Sequence, residues 1–300
     1  MSKPKEKNIL ETFTNGEFLF LQESKSLLFL DGSDSFKFIN SISSNEITNT
    51  KGSLSVSTLI LTNKGRLIFD VEIYTKSDDS MFVLCNLSQK NELIEYLKNY
   101  RMSYKVEIND YSKSLYPFKA MNVLISEESN NFTSPFILES NFINYFITKD
   151  KIPETKKFKT DELDYKKWKI LCGSPSFPNE LNSQLIPIEA DMWSSISFTK
   201  GCYIGQETIA RIKYRGKVKK TLGSFRISGP IRDEREILNL KNERIGSITS
   251  HFYCKEKNLS FGLGFLKNEE NFIKNKIKIA DLGGEVRRNL HMEENRKLTL

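Results

Sequence analysis

The run Arg66–Thr75 constrains the fold more than any other stretch of the chain. Leu67, Phe69, Val71 and Ile73 alternate with Ile68, Asp70, Glu72 and Tyr74. Successive strand side chains point to opposite faces, so a period of two marks a strand with one face in a core. Asn63-Lys64-Gly65 ahead of it is a hairpin signal, and Ser53–Leu61 is the strand it joins. Leu27–Leu30 is a short strand closed by Asp31-Gly32. Ser33 is then placed to cap a helix with Phe36, Ile39 and Ile42 facing inward. Met81–Cys85 is a further strand. Ser88 is placed to cap a second helix with the apolar stripe Leu93, Ile94, Leu97 and Tyr100. Tyr104–Ile108 closes the unit. A strand–helix–strand–strand–helix–strand order is the split βαβ, or ferredoxin-like, arrangement, carried here with at least one additional strand.

The later chain reads as two further blocks. Phe118–Ile125, Ser134–Leu138 and Ile143–Ile147 have strand composition, with a Ser/Asn-rich turn at Glu127–Asn131. Asp161 is placed to cap a helix to about Ile170, ended near Gly173-Ser174-Pro175. Pro175, Pro178 and Pro187 mark an irregular connector. Beyond Gly216 come short strands at Thr221–Ile227, Arg244–Ser250, Leu259–Leu266 and Lys276–Arg288, with Gly283-Gly284 as a turn within the last. Such spacing suggests a small antiparallel barrel. The expected fold class is α+β. Residues 1–216 hold two α+β subdomains, 217–290 a β-barrel, and 291–300 a tail.

Composition excludes some functions. No run of about 18 apolar residues suits a membrane span. Met1–Asn8 is polar and lacks the apolar core of a signal peptide, which points to the cytoplasm. Cys85, Cys172, Cys202 and Cys254 are scattered without a C-x-x-C, and His251 and His291 are the only histidines. A metal centre within one chain is therefore not expected. The net charge of +7 permits an acidic partner. Residues 200–220 concentrate it, with seven cations against Glu207 alone. They read equally as a solvated face or as a rim attracting a carboxylate tail, a phosphate or RNA. Tyr214 is the one ring interleaved beyond the glycine turn, too few for a nucleic-acid stacking platform, so nucleic acid is not favoured.

The octapeptide Lys200-Gly201-Cys202-Tyr203-Ile204-Gly205-Gln206-Glu207 carries the densest chemistry. Its glycines punctuate a tight connection into a helix over Thr208–Lys213, in which Glu207 and Arg211 stand at i,i+4. Cys202 then lies near a helix N-terminus with Lys200 close by. Both features favour thiolate over thiol, lowering a thiol pKa from about 8.5 to roughly 3.5–7.5. The plainer alternative is a small buried hydrophobe on an ordinary turn. Asp70 is likewise open between a solvent-facing carboxylate and an acceptor for a heterocyclic N–H. Glu189, in Pro187-Ile188-Glu189-Ala190, reads from pattern alone as a helix-start carboxylate.

The octapeptide resembles the Lys-Gly-Cys-Tyr-x-Gly-Gln-Glu signature of the YgfZ-type folate-binding proteins, matching every specified position. These proteins support iron–sulfur enzymes and are related to the aminomethyltransferase (T-protein) of the glycine cleavage system. Gly65-Arg66-Leu67-Ile68-Phe69-Asp70 resembles a segment near the folate, Pro187–Ala190 the Pro-x-Glu-Ala of the T-protein, and Ile245–Ser250 and Phe261–Phe265 its barrel. The resemblance implies three subdomains around a central folate channel. It implies tetrahydrofolate or a derivative as cofactor and iron–sulfur proteins as transient partners. Asp70, Lys169 and Glu189 become candidate folate residues, as do Lys200, Tyr203, Gln206, Glu207 and Arg211, with Cys202 as the functional thiol. Folate-dependent aminomethyl transfer is the alternative, and an RNA- or protein-binding module the third. Two departures stand out. Phe69-Asp70 replaces two consecutive aspartates of the T-protein, which argues against transfer. Lys169 stands near where relatives often carry arginine, and a lysine lacks the fork that grips a carboxylate twice.

Overall fold

The computed structural model describes residues 18–47, 55–121, 132–138, 141–148, 162–216, 218–267 and 275–287. Strand β1 (Phe18–Leu21) is followed by a five-stranded unit: β2 (Lys25–Asp31), α1 (Ser35–Ile42), β3 (Ser55–Leu61), β4 (Leu67–Thr75), β5 (Ser80–Asn86), α2 (Lys90–Arg101) and β6 (Glu107–Asp110). These strands form an antiparallel sheet in the order β3-β4-β5-β2-β6. This is the ferredoxin-like order with one added strand. The β3–β4 hairpin turns at residues 62–66, where the Thr62 amide donates to the Arg66 carbonyl and the Gly65 amide to the Thr62 carbonyl.

One face of this sheet packs on the two helices. Leu28, Leu30, Phe69, Val71 and Ile73 interlock with Phe38, Ile39, Leu93 and Leu97. Burying each such side chain contributes roughly 1.5–3 kcal/mol. The other face is covered too. Leu27, Leu59, Leu61, Tyr74 and Leu84 join a larger core with Trp168, Tyr203, Ile209, Leu263 and Phe265. Alternation alone leaves that face open to water; a later part of the chain closes it.

The helix caps differ from expectation. Ser33 does not cap α1; Asp34 holds the N-cap position without a side-chain cap bond. Asn86, not Ser88, accepts the first amide hydrogen bond, in a short 3-10 turn ahead of α2. Tyr100 leaves the α2 stripe and is 42% exposed.

A second sheet, β1-β7-β9-β8, uses β7 (Tyr116–Met121), β8 (Phe132–Leu138) and β9 (Asn141–Thr148). The Glu127–Asn131 turn and the Asp161 cap lie outside the described residues. Helix α3 (Glu162–Leu171) follows and stops at Gly173, whose φ of 72° lets its amide reach back to the Ile170 carbonyl.

The last unit is a closed antiparallel barrel, β10-β13-β12-β11-β14-β15. It is built from β10 (Lys220–Ser228), β11 (Glu236–Leu238), β12 (Arg244–Cys254), β13 (Leu259–Lys267), β14 (Lys276–Ile279) and β15 (Leu282–Arg287). Helix α4 (Gln206–Arg215) leads into it. The β14–β15 turn falls at Ala280-Asp281, not at Gly283-Gly284. Those glycines sit inside β15, where the Arg226 backbone leaves no room for a Cβ at Gly284. The three-residue β11 carries too short a pattern to stand out in sequence. No helix among the described residues is long and apolar enough to cross a membrane.

Candidate functional site

Asp70 and Glu72 sit on the β4 face that looks away from α1 and α2, opposite Phe69 and Val71. Lys25, at the start of β2, Lys119, on β7, and Lys169, on α3, bring their charges to the same place. The register pairs Phe20 with Lys119 across β1 and β7, so both side chains share one face. There Phe20 stacks on Tyr165 at 4.0 Å, Tyr165 stacks on Trp168, and the Lys119 ammonium stands about 6 Å from both α3 rings. Gln22 continues that face by strand alternation; its Nε2 is buried without a hydrogen-bond partner.

This cluster is charged and deep. Among the described residues, neither Asp70 nor Glu72 forms an ion pair with Lys25 or Lys169 within 4.0 Å. Yet each feels the others' charge. Burial raises the Asp70 carboxyl above its ordinary range, helped by Glu72 and opposed by Lys25, Lys169 and Lys119. For Glu72 burial pulls the same way, but Lys119, Lys25, the Tyr74 hydroxyl at 2.8 Å and Lys169 outweigh it, and its carboxyl is held below the usual range. Burial, with Lys25 and Lys119, pushes the Lys169 ammonium down to about 8, against the pull of Asp70 and Glu180. Asp70 and Lys169 retain partial exposure despite their depth. A surface recess at Asp34, Lys37, Met102, Ser103 and Tyr104 involves none of these residues.

Phe69 requires a correction. It is 3% exposed and meets Tyr96 of α2 edge-on at 5.7 Å, on the helix side of the sheet. A carboxylate there would point away from Asp70, so the ring at 69 does not empty a place in the site. The second carboxylate on the site face is Glu72.

The octapeptide forms a separate surface that is anchored from behind. Gly205 caps α4 at φ 86°, and a Cβ there would lie 2.5 Å from the Thr62 carbonyl and 3.2 Å from Gly65 Cα. Two glycines thus let the β3–β4 hairpin and the start of α4 meet backbone to backbone. The Lys200 ammonium donates to the carbonyls of Asn40, Ser43 and Asn45 at 2.9, 2.8 and 2.7 Å. Burial lowers its pKa to about 8, while these carbonyls hold the proton in place. Lys200 is therefore a tie between the octapeptide and the end of α1, where the sequence suggested a field on Cys202. The Tyr203 ring is buried beneath that ammonium, with its hydroxyl unpartnered and pushed up to about 12 by burial.

Cys202 is exposed, and a Cβ on the neighbouring Gly201 would touch nothing within 4 Å. The other thiols are screened. Burial pushes Cys85 and Cys172 up to about 12 and raises Cys254, which donates to Glu256 at 3.1 Å. Gln206 opens α4, and Glu207 and Arg211 point outward on it without forming the expected ion pair. Glu189 is not among the charges felt by Asp70 or Lys169. Its carboxylate accepts from the Ile186 amide at 3.3 Å in a 3-10 turn over Pro187–Ala190, the local role its pattern suggested. The structure thus brings Asp70 and Lys169 within reach of each other's charge. Sequence reasoning missed Lys25, Lys119 and the stacked Phe20, Tyr165 and Trp168, because strand register and helix docking alone bring them together. It also missed the rings beside the basic segment: Lys213 lies 3.4 Å over Phe198, which packs near Trp193.

No family model matches the chain. The crystal structure of the glycine cleavage system aminomethyltransferase T from Bartonella henselae matches with a TM-score of 0.79 over 97% of this chain and 90% of that one, at 12% identity. The chain therefore has the aminomethyltransferase fold. It is 19% identical over 310 residues to the aminomethyltransferase of Thermoanaerobacter sp. (strain X514), covering 90% of this chain and 83% of the relative. It is 28% identical over 203 residues to the tRNA-modifying protein YgfZ of Blochmanniella pennsylvanica, covering 59% and 61%. It is 25% identical over 240 residues to a mitochondrial iron–sulfur cluster assembly factor of Mus musculus, covering 71% and 67%. A 123-residue stretch is 33% identical to a protein of Arabidopsis thaliana named as a chloroplastic transferase, but spans only 28% of it. Within the aminomethyltransferase fold, this chain resembles the YgfZ-type proteins.

Proposed function

We propose that this protein binds tetrahydrofolate or a derivative in the space around Asp70 and supports assembly or repair of iron–sulfur clusters in other proteins. The observation that carries the reading is the deep, unpaired Asp70 facing lysines and stacked rings. An ionised carboxylate is the acceptor that the N–H groups of a reduced pterin need, and a benzoyl ring suits an aromatic wall. Gln22 Nε2 offers a further donor without a partner in the protein. Residues 1–216 supply the folate site, and barrel residues Leu222, Leu263 and Phe265 join its core. Cys202 is the exposed thiol presented to cytoplasmic client proteins, as a transient ligand or in thiol exchange. The names of the YgfZ and iron–sulfur assembly relatives support the cluster role.

One observation favours a second reading. Glu72 gives the space a second carboxylate, held ionised by lysines, so folate-dependent aminomethyl transfer is not disfavoured by Phe69. Turnover of an aminomethylated carrier protein separates it from the first. The proposed function is tested in a strain lacking this gene, by assaying cluster-dependent enzymes with and without the gene restored. Activities should fall on deletion and return on restoration; unchanged activities would remove the cluster role.

A further inference from the structure

We propose that Trp193, Phe198, Lys213 and Tyr214 form a docking surface beside Cys202 that receives an acidic face of the client protein. This rests on the reading of Cys202 as the thiol presented to clients, and names where and by what chemistry a client is held. Trp193 is 38% exposed and Tyr214 69%. The Trp193 and Phe198 ring centres lie 6.1 Å apart. The Lys213 ammonium stands 3.4 Å over Phe198 and 5.4 Å from the Tyr214 ring, so one cation joins the rings into a single patch. Large rings gathered with a cation are the side chains that anchor protein interfaces.

The patch is held in place from behind. The Ser197 amide donates to the Ser44 carbonyl at 2.9 Å, and the Asn45 side-chain amide to the Ser194 carbonyl at 2.9 Å. The Lys200 amide donates to the Ser197 hydroxyl at 3.1 Å, which turns the chain between Phe198 and Cys202. Four residues of chain reach at most about 14 Å. An interface of ordinary size therefore covers both the rings and the exposed thiol. Charge selects the partner. Helix α4 carries Arg211, Lys213 and Arg215 against Glu207 alone, and Lys219 and Lys220 follow it. These cations are exposed, and among the described residues none of them forms an ion pair within 4.0 Å. Complementarity calls for carboxylates around an apolar centre on the partner. Single-stranded nucleic acid fits less well, because stacking needs open ring faces and Lys213 covers a face of Phe198.

The test pairs rescue of the deletion strain with crosslinking in cells. Lys213→Glu and Tyr214→Ala change exposed side chains. Both should keep the melting temperature, the tetrahydrofolate affinity and the rate of Cys202 alkylation by iodoacetamide, yet lose most rescue of cluster-dependent enzymes. Lys213→Arg should rescue. A photoreactive benzoylphenylalanine in place of Tyr214 should crosslink to acidic iron–sulfur proteins, and Lys213→Glu should abolish those crosslinks. The same group in place of Leu240, exposed on the barrel, should not form them. Full rescue by both variants overturns the docking surface. So does a crosslink at 214 only to RNA, only to a second copy of this chain, or to nothing. Where a variant melts lower, the crosslinks at 214 and 240 decide. If Cys202→Ser also rescues, the thiol reading itself fails, a result distinct from loss of docking.

Discussion

Cys202→Ser is expected to retain the fold and folate affinity and to lose all support of cluster-dependent enzymes. The side chain is exposed, so the exchange should change stability by no more than about 0.5 kcal/mol. What it removes is the one exposed thiol of the four. Cys85 and Cys172 are kept as thiols by burial, with pKa values near 12, and Cys254 is buried and raised. None can substitute at neutral pH, since the thiolate is the nucleophile and ligand. Alkylation of the wild type at neutral pH should accordingly label Cys202 first. The decisive readout is rescue of the deletion strain. A serine variant that rescues like the wild type would reduce the octapeptide to a structural turn.

Gly205→Ala should be among the most destabilising single changes in the octapeptide, while Gly201→Ala should leave stability intact. At 205 a side chain meets the Thr62 carbonyl at 2.5 Å and Leu61 Cβ at 3.1 Å, and the backbone is left-handed at φ 86°. The conformation alone costs an alanine about 1–2 kcal/mol, and backbone atoms cannot swing aside to relieve the clash. A loss of about 3 kcal/mol or more is expected, read as a lower urea midpoint with an unchanged slope. At 201 a Cβ meets nothing, so the fold does not require glycine there. Gly201 instead leaves the approach to Cys202 bare. Gly201→Ala should therefore test access: normal stability with impaired rescue would assign that glycine to the thiol's partners.

The two glycines show what the sequence could and could not convey. Both read as turn punctuation, because spacing reports a break in periodicity but not which backbone lies behind it. Local patterns were legible where local physics decides them. The alternation of β4, the 62–66 hairpin, the order of the first sheet and the longer barrel strands β10, β12 and β13 follow from periodicity and turn chemistry. Caps were less legible, because Asn86 takes the Ser88 amide two residues ahead of the expected cap, and Asp34 turns its carboxylate to the Lys105 amide instead of the helix. The site was legible only at Asp70 and Lys169, and there with help from resemblance. Lys25, Lys119 and Phe20 gave no signal, since an isolated lysine or phenylalanine is unremarkable until strand register sets it beside its partners. The alternation that placed Phe69 opposite Asp70 was already visible in the sequence. Resemblance to a two-aspartate segment drew the ring into the site, and the strand geometry takes it out again.

Folate affinity of the wild type and of Asp70→Asn, measured by calorimetry across pH, tests the central claim most directly. The wild type should bind tetrahydrofolate, and the variant about ten- to a hundredfold more weakly, the loss of one hydrogen bond to a charged group. Affinity in the wild type should fall with acidification at a pH above the ordinary aspartate value of 3.8, since burial raises the Asp70 carboxyl. The same shift fixes the sign for stability. A carboxyl raised in the folded state contributes stability that is present below the unfolded value and lost as pH rises through the folded one. Ionising Asp70 therefore costs the ligand-free fold stability, and the uncharged asparagine should melt no lower than the wild type. Weak binding with an undiminished melting temperature is the predicted result. A wild type that binds no tetrahydrofolate, or an asparagine variant that binds it equally well, would contradict the account.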